Sequence, residues 1–319
     1  MKIFTWEEIV NGQVPKKESF APFLEEMQNI LKDTIGIVSG SHFGSTHRGD
    51  YGITSDIDIY VIYKEKFAFE VSISIKDLTR KAKELFIPFN VVAIPDEGIV
   101  NTDHTPISPR LQQVLAYTAQ KDDGCFIGDI RKFLFHYNLM EKEDFSRVVR
   151  NDIERYVGYK LRNYFEGRFS NELLSPQKRL QWMESATNGF VHTTRGVLAS
   201  YGGVEFIDGT INEVWNILHK YQAKSKAPDL FSEHLGAREG YRKALKVALF
   251  GPAPGITMDK EAYMEMGCKE EKMENFVYVP APEMTSSEKE ESYKLSLDVF
   301  ADHLGVFPEY VEILIQMLK

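Results

Sequence analysis

The chain has 319 residues, and at roughly 100–200 residues per domain this length favours two domains. Hydrophobic residues make up 43% and charged residues 27%, proportions that exclude a wholly disordered or fibrous protein. The net charge of −9 disfavours a protein that binds nucleic acid over its whole surface, because such binding needs an excess of Lys and Arg. A local basic groove remains compatible with this charge.

The two cysteines, Cys125 and Cys268, are far apart in the sequence and predict neither a disulfide scaffold nor a metal cluster. The N-terminal residues lack the basic and long apolar stretches of a signal peptide. No run of about 20 apolar residues is present, so no membrane span is expected. We therefore expect a cytoplasmic protein.

The first part of the chain alternates helical and strand patterns. Apolar residues follow helical spacing over 17–33, and a short β-type run, TIGIVSGS, comes next. After a polar loop the sequence predicts a second strand (SDIDIYVIY), a helix over 74–86 and a third strand (PFNVVAIP). This order of helix, strand, loop, strand, helix and strand indicates a small α/β layer.

From about residue 107 onward the apolar spacing is helical, and the C-terminal end supplies two helices around Pro308. We therefore predict an α+β fold, in which a small mixed β-sheet domain (1–105) is followed by an all-helical domain (106–319). The boundary is expected in the loop over 95–108.

One acidic segment carries most of the net charge. Residues 259–291 contain ten Asp and Glu residues against four lysines, a local charge of −6. A solvated surface is the ordinary explanation of such a run. The alternative is a wall that attracts a cationic substrate.

Two carboxylates open the second predicted strand, in the run Ser55-Asp56-Ile57-Asp58. Strand alternation places Asp56 and Asp58 on the same face, with Ile57 pointing the other way. Carboxylates at that separation can share hard divalent cations such as Mg²⁺, which take oxygen ligands and bridge to phosphate.

A Gly-Ser pair precedes these carboxylates, because the first predicted strand ends in Gly40-Ser41. Gly40 lets backbone N–H groups approach a phosphate closely, and Ser41 adds a hydroxyl donor. A phosphate-binding turn beside a metal-binding carboxylate pair is what phosphoryl or nucleotidyl transfer needs.

With these motifs, residues 17–95 resemble the nucleotidyltransferase superfamily that includes DNA polymerase β. The resemblance implies that Asp56 and Asp58 ligate two Mg²⁺ and that Gly40 and Ser41, with Ser55 nearby, hold the triphosphate of an NTP. In architecture the chain is most similar to antibiotic-modifying and small nucleotidyltransferases that have a helical C-terminal domain.

The chain departs from the family pattern at two positions. The family commonly has Gly-Ser-x-x-x-Gly, and here Gly44 comes one residue early. The third carboxylate of the family falls at Asn90, an amide that cannot act as a general base. Four explanations compete: two carboxylates suffice; Asp96, Glu97 or an acid of the helical domain replaces it; the chain binds without catalysis; or the sequence was inactivated by engineering.

Other candidate residues carry weaker signals. Arg131 and His136 have the Arg-x4-His spacing of a family of helical RNases that often accompany small nucleotidyltransferases. The remaining candidates are either solvated and packed residues or contacts to phosphate, acceptor or RNA: His42, His47 and Arg48 in the loop; His192 and Arg195 beside Trp182; and a basic helix with Arg147, Arg150, Arg155, Lys160, Arg162, Tyr156, Tyr159 and Tyr164.

The expected function is transfer of a nucleoside monophosphate from Mg–NTP to a hydroxyl of a small-molecule acceptor, and AMP is the nucleoside monophosphate that we expect. A cationic, aminoglycoside-like acceptor would suit the acidic segment, and it would enter between the two domains. A second interpretation makes the acceptor an RNA 3′ end, a nucleotide or a protein side chain. A third, motivated by Asn90, is a non-catalytic nucleotide-binding or antitoxin-type module.

Overall fold

The computed structural model describes most of the first third of the chain and parts of the remainder. The described residues are 2–96, 109–120, 124–133, 211–222, 225–252 and 283–303, with short pieces at 141, 143–144, 147–148, 194–195, 255–257, 277–279, 309–310, 312–313 and 316.

Two helices precede the sheet. Helix α1 (Trp6–Val10) begins with a capping box, in which Thr5 and Glu8 each accept a hydrogen bond from the other's backbone N–H. The sequence analysis did not predict this short helix. Helix α2 (Phe20–Asp33) follows a 3₁₀ turn and confirms the helix predicted over 17–33.

A four-stranded mixed sheet forms the centre of this region. Its strands are β1 (Ile37–Phe43), β2 (Ile57–Tyr63), β3 (Phe89–Pro95) and β4 (Cys125–Ile127), and their spatial order is β3-β2-β1-β4. Strand β1 is antiparallel to β2 and β4, whereas β2 and β3 are parallel. The three predicted strands are confirmed, and the sequence analysis missed β4.

Strand β2 supplies side chains to both faces of the sheet, as its alternation requires. Ile57, Ile59 and Val61 are buried in one hydrophobic cluster with residues of α2 and of α4 (Ala68–Glu84). Tyr60 and Ile62 are buried in a second cluster with α5 (Pro109–Gln120). The sheet therefore lies between two helical layers, and Asp58 belongs to the α5 face.

Helix α4 begins six residues before its predicted start at residue 74. Its first turns expose Phe69 and Ile73 to solvent, so apolar residues there do not mark the buried face. The buried face is formed by Val71, Leu78 and Ala82. A further helix that the sequence analysis missed, α3 (Ser45–Arg48), lies between β1 and β2.

The second part of the chain contains the helices α6 (Ile211–Gln222), α7 (Ala227–Phe250) and α8 (Ser286–His303). It also contains a short antiparallel pair, β5 (Gly255–Thr257) with β6 (Val277–Val279), that helical periodicity did not predict. The α+β prediction, a small mixed sheet followed by helices, is confirmed. The predicted division at residue 105 stays a prediction, and the sheet takes its fourth strand from beyond that point.

The chain divides into two compact units, 1–234 with 304–319, and 235–303. The second unit has an aromatic core, in which the Tyr241 ring lies 5.7 Å from that of Phe300 and 6.0 Å from that of Tyr293. Among the helices that the structure describes, none is both long enough and apolar enough to cross a membrane.

Candidate functional site

The two predicted carboxylates lie at the start of β2. Asp56 directly precedes the strand, and Asp58 is its second residue. Asp58 stands between two neighbours in the sheet, because it is opposite Phe43 of β1 and Asn90 of β3. The site is therefore built at one end of the three adjoining strands.

Asp58 is the electrostatically perturbed member of the pair. Burial, followed by the negative charge of Asp56, raises the pKa of Asp58 to about 6. A hydrogen bond from Asn90 and the positive charge of Arg48 act in the opposite direction. A neighbouring negative charge disfavours the ionised form of Asp58, and a bound cation would favour it, since the cation supplies the opposite charge.

Asn90 lies where the sequence analysis placed the third family position. Its Nδ2 donates a hydrogen bond of 3.1 Å to Oδ1 of Asp58. The prediction that Asp96 replaces the third carboxylate is wrong. Asp96 follows the far end of β3 and therefore lies about 20 Å along the strand from Asn90. Glu97 lies outside the described residues.

Gly44 leaves open space beside the other oxygen of Asp58. It directly follows β1, has a φ of +85°, and a Cβ built on it would lie 2.9 Å from Oδ2 of Asp58. Any other residue would be strained at this φ and would crowd that oxygen. Ser45 follows as the first residue of α3, so a second Gly-Ser pair stands at the carboxylates.

The strand does not end at Gly40-Ser41, which corrects the sequence analysis. Strand β1 continues to Phe43, and Gly40 and Ser41 lie in its middle, between β2 and β4. Ser41 is fully buried, and a Cβ on Gly40 would lie 2.8 Å from the ring of Phe126. The structure therefore places this pair in the core, and its predicted contact with a triphosphate stays a prediction.

The sequence analysis missed Gly44-Ser45 because it ended the strand at the first of two Gly-Ser pairs. A signal was present, since Gly44-Ser45 directly precedes the polar loop and follows the bulky strand residue Phe43. Ser55, which was also assigned to the nucleotide, is buried, and its Oγ accepts a hydrogen bond of 3.0 Å from the backbone N–H of Gly52. This bond holds the loop where it enters β2.

Two histidines of the loop lie against each other. The rings of His42 and His47 are edge to face at 5.4 Å, and Nε2 of His42 is 2.9 Å from Oγ1 of Thr46. Burial, followed by the charge of His47, lowers the pKa of His42 to about 4. His42 is therefore a neutral residue of the strand at physiological pH.

Some of the weaker candidates lie among the described residues, where their contacts can be given. Arg131 forms an ion pair of 2.9 Å with Asp129, and Arg147 pairs with Asp144. Arg195 is buried and lies near Asp50 in the loop that follows α3. Outside the described residues lie His136, Trp182, His192, most of the acidic segment, and the basic and aromatic positions Arg150, Arg155, Lys160, Arg162, Tyr156, Tyr159 and Tyr164.

The donor set fits a hard divalent cation. Asp56 and Asp58 supply carboxylate oxygens, and the missing side chain of Gly44 keeps Oδ2 of Asp58 accessible. In the part of the chain that the structure describes, no group of three or more His, Cys, Asp and Glu side chains could hold a metal. A cation at this end of the sheet would therefore depend on the two carboxylates and on oxygens from its other ligands, such as phosphate.

A comparison with protein families bears on this geometry. The model of the family described as nucleotidyltransferase domain matches residues 24–157, a span that includes all four strands of the sheet and both carboxylates. The match supports the nucleotidyltransferase superfamily for this region and a general nucleotidyltransferase activity. No curated protein and no solved structure matches the chain.

Proposed function

We propose that this chain is a magnesium-dependent nucleotidyltransferase that moves a nucleoside monophosphate from an NTP to a hydroxyl of a small-molecule acceptor. AMP is the nucleoside monophosphate that we expect it to transfer. The observation that carries the proposal is the meeting of Asp56 and Asp58 with Gly44 at one end of the sheet. Oxygen ligands beside a glycine that admits a phosphate are the parts that this chemistry requires.

In the proposed reaction, the acceptor oxygen forms a bond to the α-phosphorus, the bond from that phosphorus to the β-phosphate oxygen breaks, and pyrophosphate leaves. Bound Mg²⁺ supplies charge neutralisation on the phosphates. Asn90 holds Oδ1 of Asp58, which leaves Oδ2 on the side of Gly44. An amide is not a base at neutral pH, so we assign the proton of the acceptor hydroxyl to the carboxylates of Asp56 and Asp58.

The acceptor class rests on the second part of the chain. Residues 259–291 carry a charge of −6, which favours a cationic, aminoglycoside-like molecule over RNA. The helical second part resembles the arrangement of antibiotic-modifying nucleotidyltransferases, which is support by analogy. RNA, nucleotide and protein acceptors are the other outcomes of the test below.

A second candidate function is nucleotide binding without transfer. Asn90 favours it, because it occupies the place beside Asp58 where a third carboxylate would add a base and a ligand. Under this hypothesis the site holds Mg–NTP, and Asn90→Asp restores what the chain lacks. Under the hypothesis of nucleotidyl transfer, the wild-type chain is already catalytically active.

Pyrophosphate release tests the proposal. The purified chain is mixed with Mg²⁺ and each of the four NTPs, with a panel of aminoglycosides, RNA, nucleotides and proteins, and the modified acceptor is identified by mass spectrometry. We expect pyrophosphate release that depends on both Mg²⁺ and acceptor, and an acceptor heavier by one nucleoside monophosphate.

The matched variants are Asp58→Asn at the site and Asp33→Asn at the exposed end of α2. Asp58→Asn should abolish pyrophosphate release, and Asp33→Asn should leave it unchanged. Turnover that survives the double change Asp56→Ala with Asp58→Ala would refute the site. Nucleotide binding without turnover in the wild-type chain would refute transfer, and turnover that appears only in Asn90→Asp would support the second candidate.

A further inference from the structure

Three charged side chains, which we call the Arg–Asp–Arg bridge, join distant parts of the chain next to the site. They are Arg48 at the end of α3, Asp50 two residues later, and Arg195. Nη2 of Arg48 lies 3.3 Å from Oδ1 of Asp50, and Nη2 of Arg195 lies 3.8 Å from Oδ2 of the same carboxylate. Gly49 between the first two has a φ of +79°, a left-handed turn that brings their side chains together.

The Arg–Asp–Arg bridge is largely buried. The exposed fraction of the side chain is 3% for Arg195, 10% for Arg48 and 20% for Asp50. Buried charges are costly unless they are paired, and here two guanidinium groups share one carboxylate. Among the described residues, the Asp50 oxygens accept no hydrogen bond, so ion pairing is what offsets their burial.

Arg195 is held at this place by its neighbour in the chain. Oγ1 of Thr194 lies 2.8 Å from the hydroxyl of Tyr310, and both side chains are buried. Tyr310 packs its ring against Phe231 at 6.1 Å. Burial raises the pKa of Tyr310, so the phenol stays protonated and can take part in this hydrogen bond. The C-terminal segment thus anchors the arginine that reaches the loop.

The Arg–Asp–Arg bridge bears directly on the carboxylate end of the sheet. The backbone N–H of Arg48 donates a hydrogen bond of 3.1 Å to the carbonyl oxygen of Gly44. The charge of Arg48 also acts on Asp58, whose pKa it lowers. The guanidinium that Asp50 holds is therefore close to the oxygens that would bind Mg–NTP.

We propose that Asp50 and Arg195 are positioning residues, which hold the guanidinium of Arg48 in place to bind the polyphosphate of the nucleotide. This inference rests on the proposed function and adds to it a link between the loop and the second part of the chain. The charge of Arg195 favours one orientation of the Asp50 carboxylate, because its Nη2 lies 3.8 Å from the oxygen opposite the one that Arg48 contacts.

The sign of one substitution separates positioning from simple electrostatics. Asp50→Asn removes a negative charge near the site, so a purely electrostatic role predicts tighter binding of a polyanion. Positioning predicts weaker binding, because Arg48 and Arg195 then repel each other and Arg48 loses its orientation. We expect Asp50→Asn to weaken nucleotide binding about tenfold.

The experiment measures the dissociation constant of adenosine and guanosine α,β-methylene triphosphates with Mg²⁺ by titration calorimetry, on the full chain without acceptor. Arg195→Met should weaken binding about as much as Asp50→Asn, and Asp50→Glu should recover part of the affinity. Tyr310→Phe, which removes one hydrogen bond, should weaken binding by a smaller factor. Arg80→Met, at an exposed ion pair on α4, is the matched control and should bind like wild type.

Steady-state kinetics with the acceptor found above adds a second readout. The KM for NTP should rise in Asp50→Asn and Arg195→Met while the KM for the acceptor stays the same. Wild-type affinity or tighter binding in folded Asp50→Asn and Arg195→Met would overturn the inference, as would a melting temperature that falls with no change in affinity. If Asp50→Asn does not fold, Arg195→Lys and Tyr310→Phe decide by the same criterion. A wild-type chain that binds no nucleotide would instead refute the proposed function.

Discussion

The chain contains two Gly-Ser pairs four residues apart, and the structure gives them opposite surroundings. Gly40-Ser41 lies in the middle of β1, where Ser41 is fully buried and Gly40 faces the ring of Phe126. Gly44-Ser45 lies where the same strand ends, and Gly44 faces the carboxylate of Asp58. The first pair allows two parts of the core to approach, and the second allows the carboxylate site to stay open.

The difference shows that the role of a glycine depends on which group occupies the space where its side chain would be. Both glycines prevent a contact shorter than 3.0 Å, one with an aromatic ring and the other with a carboxylate oxygen. A substitution at the first position should therefore change stability, and a substitution at the second should change chemistry.

The largest effect is expected for Gly44→Ala. The added Cβ would crowd Oδ2 of Asp58 at a φ that alanine disfavours, so either the loop or the carboxylate must move. A shift of about 1 Å at reacting groups costs on the order of 100-fold in rate. The measurement is kcat/KM for pyrophosphate release, with stability checked by urea unfolding. Wild-type kcat/KM in this variant would remove Gly44 from the site.

The next largest effect is on the pH dependence of stability and concerns His42. This buried residue lies between the two Gly-Ser pairs. The pKa of His42 is about 4 in the folded chain and 6.5 when exposed. Between these values the unfolded state binds more protons, so the stabilisation that is complete above pH 6.5 is lost as the pH falls towards 4. We expect the free energy of unfolding to fall by about 2 kcal/mol more in wild type than in His42→Gln between pH 7 and pH 4.5.

Urea unfolding across that pH range checks this expectation, and the difference between the two chains isolates His42 from the other titrating groups. His47, which faces His42 from α3, stays in both chains. Parallel pH profiles for wild type and His42→Gln would contradict the neutral, buried state of this histidine.

An effect of similar size on stability is expected for Gly40→Ala. The Cβ would lie 2.8 Å from the Phe126 ring, and overpacking of this kind typically costs about 1–3 kcal/mol. Because the space is occupied by one ring, Phe126→Leu in the same chain should recover part of the loss. Nucleotide affinity per folded molecule should match wild type. If Gly40→Ala is stable yet binds nucleotide weakly, Gly40-Ser41 belongs to the nucleotide-binding site after all.

The smallest effect separates the two serines. Ser45→Ala removes a hydroxyl next to Gly44, and we expect nucleotide binding to weaken about fivefold, the worth of one hydrogen bond near 1 kcal/mol. Ser41→Ala is the matched control, and its affinity should equal that of wild type. The reverse order of affinities would exchange the assignments of the two pairs.

Much of the sheet domain could be predicted because its signals are local. The spacing of Phe20, Phe23, Met27 and Leu31 marks the buried face of α2, and β2 and β3 contain continuous apolar runs over 59–63 and 91–94. The resemblance to the nucleotidyltransferase superfamily pointed to Asn90 as the third family position, and the structure shows that Asn90 lies opposite Asp58. Strand β4 was missed because Cys125–Ile127 is three residues long, too short for alternation to distinguish it from a turn.

The sequence by itself determined the order of helices and strands, the carboxylate pair at the start of β2 and the amide at Asn90. It could do so because helical and strand periodicity depend on neighbours in the chain, and because the resemblance to the nucleotidyltransferase superfamily points to Asn90. Only the tertiary structure decided which Gly-Ser pair lies at the carboxylates, and that Arg195 reaches Asp50. These depend on where a strand ends and on contacts between residues far apart in sequence, which packing of β4 and of the C-terminal segment settles.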